Sequence, residues 1–174
     1  MSDCLKCGYM LPLGSTACLK CGAPNYLLIA KDLAEVECIY QNWYLDSLAL
    51  WMRDGFACVY CGRDMLESYD VARHASATDH LLPVSKYQKL EDTAWNMVAS
   101  CRACNSLKAN FDPNYDPPKY VEGSRPTSDE RSELIRRASE WIKTKRLAKE
   151  AAFEKERQSI KEVIHSLESL PSAK

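Results

Sequence analysis

No run of about 18 apolar residues occurs anywhere in this 174-residue sequence, so nothing in it spans a membrane as a helix. The opening MSDCLKCGYM lacks the basic-then-apolar plan of a secretory leader, which points to an intracellular chain. Positive charge is not in excess either: 23 Lys and Arg face 24 Asp and Glu, for a formal net charge of −1. That balance excludes a globally basic nucleic-acid coat and leaves any such contact to local charge placement. The length allows one ordinary domain with appendages, or two small ones.

Cysteine, by contrast, is abundant. Eight of the nine form four C-x-x-C pairs: Cys4 with Cys7, Cys18 with Cys21, Cys58 with Cys61, and Cys101 with Cys104. Only Cys38 stands apart. Without a leader, this spacing favours metal ions over disulfides.

The first two pairs lie in CLKCGYMLPLGSTACLKCGAPN, within a unit drawn at residues 1–27. Gly8 and Gly22 follow the second cysteine of each pair and let the backbone turn its amides toward the sulfurs. Four thiolates make a closed structural zinc site, and so short a segment needs the metal to fold. The unit reads as a small zinc ribbon. Two uses stand side by side: a folding staple, or a contact for nucleic acid or protein.

In the connecting unit, 28–56, Leu33, Val36, Tyr40, Trp43, Leu48 and Trp51 recur at helical spacing. This predicts an amphipathic helix over 31–54, capped by Gly55, with Cys38 as a small buried apolar residue. The next unit is drawn at 57–126. Its cysteines, Cys58, Cys61, Cys101 and Cys104, hold a second structural zinc and staple the ends of an inserted segment, residues 62–100. Four thiolates leave that zinc no open position for chemistry. Within the insert, residues 72–84 read as a strand or hairpin arm ended by Pro83, 94–101 as a strand, and 102–111 as a helix. His74 reads as a surface or strand position.

The ordered set Cys58-x-x-Cys61, Asp79-His80 with Pro83, Asn96, Cys101-x-x-Cys104, Asn105 and Lys108 resembles the HNH endonucleases, the zinc-stapled branch of the ββα-metal nucleases. The likeness covers roughly residues 50–112. It implies metal-dependent cleavage of phosphodiester bonds, in double-stranded DNA first of all. Such hydrolysis needs a nucleophilic water, charge neutralisation at the phosphate and help for the leaving 3′-oxygen. A histidine that titrates near neutrality can take the water's proton.

By the resemblance, His80 is the general base, and Asp79 and Asn105 hold the catalytic ion. Asn96 ties the connecting loop to the histidine's backbone. Neighbours on a strand point to opposite faces, so Asp79 and His80 divide the work. Lys108 stands one turn from Asn105 and could meet phosphate; Arg102, which opens the same helix, is the other candidate nucleic-acid contact. The family's third position is named for histidine, and this chain has Asn105. An amide oxygen is a harder ligand than imidazole and favours Mg²⁺ or Mn²⁺. The rival reading is a catalytically silent zinc module that binds nucleic acid or protein.

Residues 112–126 carry four prolines and read as an extended linker. The last unit, 127–174, starts with a capping box of Thr127 and Glu130 and runs unbroken to about Leu170 as a long helix. Leu134, Ala138, Trp141, Ala148, Ala152, Ile160, Ile164 and Leu167 mark one face, with the heptad spacing slipping around Lys145 to Lys155. The cluster of Arg136, Arg137, Lys143, Lys145, Arg146 and Lys149 is either a solvated face or a phosphate-tracking one. The first half is expected to dock through Trp141 on the Trp43 and Trp51 face. The second half is expected to project and pair with a partner protein, most simply as a homodimer. The expected fold class is α+β: a zinc ribbon, an amphipathic helix, a zinc-stapled ββα core and a long C-terminal helix.

Overall fold

The computed structural model describes residues 2–12, 14–29, 45–114, 120 and 125–168. In chain order these hold β1 (Ser2–Asp3), β2 (Met10–Leu11), α1 (Leu45–Arg53), β3 (Ser76–His80), β4 (Met97–Cys101), α2 (Arg102–Lys108) and α3 (Ser128–Glu168). The class is α+β, as expected: a small ribbon, a ββα unit and a long terminal helix.

β1 and β2 pair antiparallel, Ser2 with Leu11 and Asp3 with Met10, and a small core of Cys4, Leu11, Cys18 and Ala23 closes beneath them. Of the helix expected over 31–54, only 45–54 lies among the described residues, with 45–53 helical; Leu33, Val36, Cys38, Tyr40 and Trp43 fall outside them. The part described is buried on more than one side. Leu48 and Ala49 pack against Leu5, Tyr26 and Leu27 of the ribbon side, whereas Trp51 joins the main core. Gly55, at φ +70°, ends the helix as the sequence predicts, and Phe56 follows it into the left-handed region at φ +52°.

β3 and β4 pair antiparallel in the register Ser76 to Cys101 through His80 to Met97. Both strands are shorter than expected. A π-helical turn, Val71–Ala75, takes up the start of the first and contains His74. Beyond His80 the ladder stops because Asn96 intervenes: its Oδ1 accepts from the Leu82 amide at 2.7 Å, and its carbonyl accepts from the Leu81 amide at 2.6 Å. The outer edge of β4 is closed by α1 and its surroundings. The Ala99 amide donates to Asp54 Oδ2, the Met97 carbonyl accepts from Arg53, and the Ala99 carbonyl accepts from the Val59 amide. A covered edge offers no unpaired ladder to another chain.

α2 runs only from Arg102 to Lys108 and ends at Ala109, whose φ of +49° takes the backbone out of the helix. α3 begins with the capping box: the Glu130 amide donates to Thr127 Oγ1 and the Thr127 amide donates to Glu130 Oε2. Leu134, Ala138 and Ile142 are buried. Trp51, one half of the face expected to receive α3, shares the main core with Leu134, Ala138 and Ile142, whereas Trp43, the other half, lies outside the described residues. Trp141 lies on Phe111, with ring centroids 4.6 Å apart and planes 9° from parallel, and α3 packs along α2. Phe111 stands just past the end of α2 and offers a flat face at the height of Trp141, so stacking there decides the seat. The second half projects, as expected. Residues 147–166 are all exposed, including Phe153 at 59% and Ile160 at 51%.

Candidate metal and nuclease site

The two cysteine quartets are assembled. Within each, the four sulfurs lie within 4.8 Å of one another. Individual Sγ–Sγ distances are 3.7 Å for Cys4 and Cys21, 3.5 Å for Cys7 and Cys18, and 4.0 Å for Cys61 and Cys101. Sulfurs at about 2.3 Å from a tetrahedral zinc would stand about 3.8 Å apart, so both sets could hold one. Three knuckles share one build. The amides of Gly8, Gly22 and Gly62 bond back to the carbonyls of Cys4, Cys18 and Cys58, each glycine at φ near +70°.

The fourth knuckle is different. Cys101 is the N-cap of α2, its sulfur accepting from the Cys104 amide at 3.4 Å, so the helix grows directly out of the quartet. The Cys104 and Cys58 thiols hold Cys101 below its ordinary range, while Cys104 is pushed up chiefly by sharing its proton with Cys101. Thiols so crowded cannot all ionise without a cation among them. Elemental analysis of the purified chain should therefore find about two zinc ions per molecule. One or none, with all eight thiols reactive in the folded protein, would remove the zinc assignment.

Because α2 starts at the quartet, Asn105 is fixed in its first turn, immediately after Cys104. It is half-buried, and its side-chain amide bonds to none of the described residues. Lys108 lies one turn on, on the same face. The open, phosphate-facing position expected for Lys108 is not what the structure has. Its side chain is 1% exposed, and its Nζ donates to the His80 carbonyl at 2.7 Å and pairs with Asp79 Oδ2 at 3.4 Å. Burial lowers its affinity for the proton, and the carboxylates of Asp79 and Asp112 oppose that. Lys108 ties α2 to the Asp79–His80 end of β3.

Asp79 is buried as well. Its Oδ2 also accepts from the Tyr60 hydroxyl at 2.7 Å, and its Oδ1 accepts from the His80 amide at 2.8 Å. Tyr60 lies between Cys58 and Cys61, so closing the quartet delivers it to Asp79. Burial first, and then the Asp79 carboxylate, hold its hydroxyl well above the ordinary tyrosine range, so it stays a donor. Tyr60 was not among the expected site residues; its only sequence signal is its place inside the knuckle.

His80 is half-buried, and its Nε2 lies 2.9 Å from the Glu91 carbonyl. A carbonyl only accepts, so Nε2 carries the proton and Nδ1 keeps a lone pair. Asn96, 0% exposed, clips the loop as expected but at different atoms. Its Nδ2 donates to the carbonyls of Leu82 and Leu90, so its bonds fall beyond the histidine rather than on it. Leu90 precedes Glu91, and this clip places the carbonyl that His80 uses. Arg102 is exposed at the start of α2, its Nε 3.4 Å from the Ser76 carbonyl.

A strand pair and a helix stapled by four cysteines, with Asp79 and His80 ending the first strand and Asn105 in the first turn of the helix, define a cysteine-stapled ββα unit that could hold zinc. Residues 58–111 match the family described as HNH endonuclease, and the match points to a nuclease-type function. No curated protein and no solved structure matches the chain.

Proposed function

We propose that the chain is a divalent-metal-dependent endonuclease that hydrolyses phosphodiester bonds in DNA. The observation that carries this is the state of His80: its Nε2 is fixed by the Glu91 carbonyl, which leaves Nδ1 of the neutral ring with the lone pair that a general base needs. Nδ1 takes the proton of a water aligned with the scissile phosphorus. The Glu91 carbonyl then stabilises the imidazolium through Nε2–H.

Asp79 and Asn105 would hold the catalytic ion. A carboxylate has about four lone-pair sites, and three here face Tyr60, Lys108 and the His80 amide, so one remains for a cation. Two oxygen donors fit a hard ion, Mg²⁺ or Mn²⁺. Such an ion, when bound, supplies charge neutralisation at the phosphate and the leaving 3′-oxygen. Tyr60 and Lys108 position Asp79, Asn96 positions the loop behind His80, and Arg102 is the exposed cation for backbone phosphate.

One observation favours a second reading, a catalytically silent zinc module: Lys108 already neutralises Asp79 and has to share it with a cation. Metal titration separates the two. Cleavage of supercoiled plasmid by the zinc-retaining chain should require Mg²⁺ or Mn²⁺. Asn105→Ala should raise the concentration needed by about tenfold or more, and Asn105→His should shift preference toward softer ions. Unchanged metal dependence in both variants would take Asn105 out of the site, and no cleavage with any ion would leave the silent module.

A further inference from the structure

Arg146 marks the last point at which α3 is held by the body of the protein. Before it, Leu134, Ala138 and Ile142 are buried; after it, every residue from 147 to 166 is exposed. Its Nη2 donates to the Cys104 sulfur at 3.1 Å, across 42 positions of sequence. Among the described residues, no lysine or arginine hydrogen-bonds to a sulfur of the N-terminal quartet, whose sulfurs bond to one another.

We propose that Arg146 is the counter-cation of the core zinc–thiolate centre, and that through it the metal clasps the long helix to the nuclease unit. This rests on the reading that Cys58, Cys61, Cys101 and Cys104 hold zinc. Four thiolates around one Zn²⁺ leave a double negative charge, which the protein must neutralise or leave to solvent. Thiolates in that state are nucleophiles and are attacked by electrophiles and oxidants. A guanidinium N–H on Cys104 lowers that reactivity and draws α3 down at its exit point. The direction in which the projecting half leaves the body is then set by the same centre that starts α2 and places Asn105.

The chain carries its own internal control in the second quartet. Full-length, zinc-loaded protein is treated with iodoacetamide, and alkylation is followed cysteine by cysteine by peptide mass spectrometry. Arg146→Ala should speed alkylation of Cys104 and Cys61 on the order of tenfold, with Cys18 and Cys21 unchanged. Arg146→Lys should fall between wild type and alanine. Arg137→Ala, which removes a contact of α3 with the Pro113 carbonyl and an ion pair with Glu133 within the helix, should leave Cys104 at the wild-type rate. Equal Cys104 rates in wild type and Arg146→Ala would overturn the proposal, as would an equal acceleration by Arg137→Ala. A chain that purifies without zinc removes the centre and the proposal with it. None of these readouts uses cleavage, so a failure of the nuclease reading is seen separately.

Discussion

Replacing His80 with alanine should lower the cleavage rate by roughly two to four orders of magnitude, the usual contribution of a positioned general base. The fold should survive, because the ring's one hydrogen bond among the described residues goes to the Glu91 carbonyl and the ring itself is only half-buried. Its backbone bonds, the carbonyl to Lys108 and the amide to Asp79, are untouched by the substitution. The control is therefore strict: zinc content and the circular dichroism spectrum should match wild type while plasmid cutting is lost. An active, zinc-replete His80→Ala chain would mean that another group takes the proton.

Asp79→Ala should behave differently, costing stability as well as activity. The substitution leaves the Lys108 ammonium, 1% exposed, with the His80 carbonyl alone, and leaves the Tyr60 hydroxyl without its acceptor. Removing one partner of a buried ion pair costs about 3–5 kcal/mol. Chemical denaturation should show a loss of that order. Pairing Asp79→Ala with Lys108→Met should recover much of the stability and none of the cleavage. If Asp79→Ala were as stable as wild type, the burial of this pair would carry no energetic weight, and its role in positioning the site would fall with it.

What was legible in the sequence is what depends on local spacing. Two cysteines three apart make a knuckle wherever they lie, and Thr127 with Glu130 makes a capping box from four residues. The order of the site residues, Asp79, His80, Asn96 and Asn105, was legible for the same reason. The partners of these residues were not, because tertiary packing supplies them. The acceptor that fixes the His80 tautomer is the backbone carbonyl of Glu91, and no side chain announces it. Tyr60 reads as a spacer until the quartet closes. Lys108 reads as a surface lysine, since lysine is seldom buried without a paired charge, and that charge comes from Asp79 on β3. Strand ends were overestimated because the periodicity of residues 72–84 continues past His80, while the Asn96 side chain takes the ladder's place at Leu82. Spacing says which face of α3 is buried and not all that covers it, so the stacking of Trp141 on Phe111 has no signal in the sequence.

The most direct test of the central claim is the chemistry of the cut ends. Supercoiled plasmid is incubated with the zinc-replete chain in Mg²⁺, in EDTA, and with His80→Ala in Mg²⁺, and the products are offered to a DNA ligase. Water attack with the 3′-oxygen leaving predicts breaks that appear only with the wild-type chain in Mg²⁺, carry 5′-phosphate and 3′-hydroxyl ends, and are resealed by the ligase. Plasmid left intact throughout, breaks equally frequent in EDTA or with His80→Ala, or ends that the ligase cannot join would contradict it.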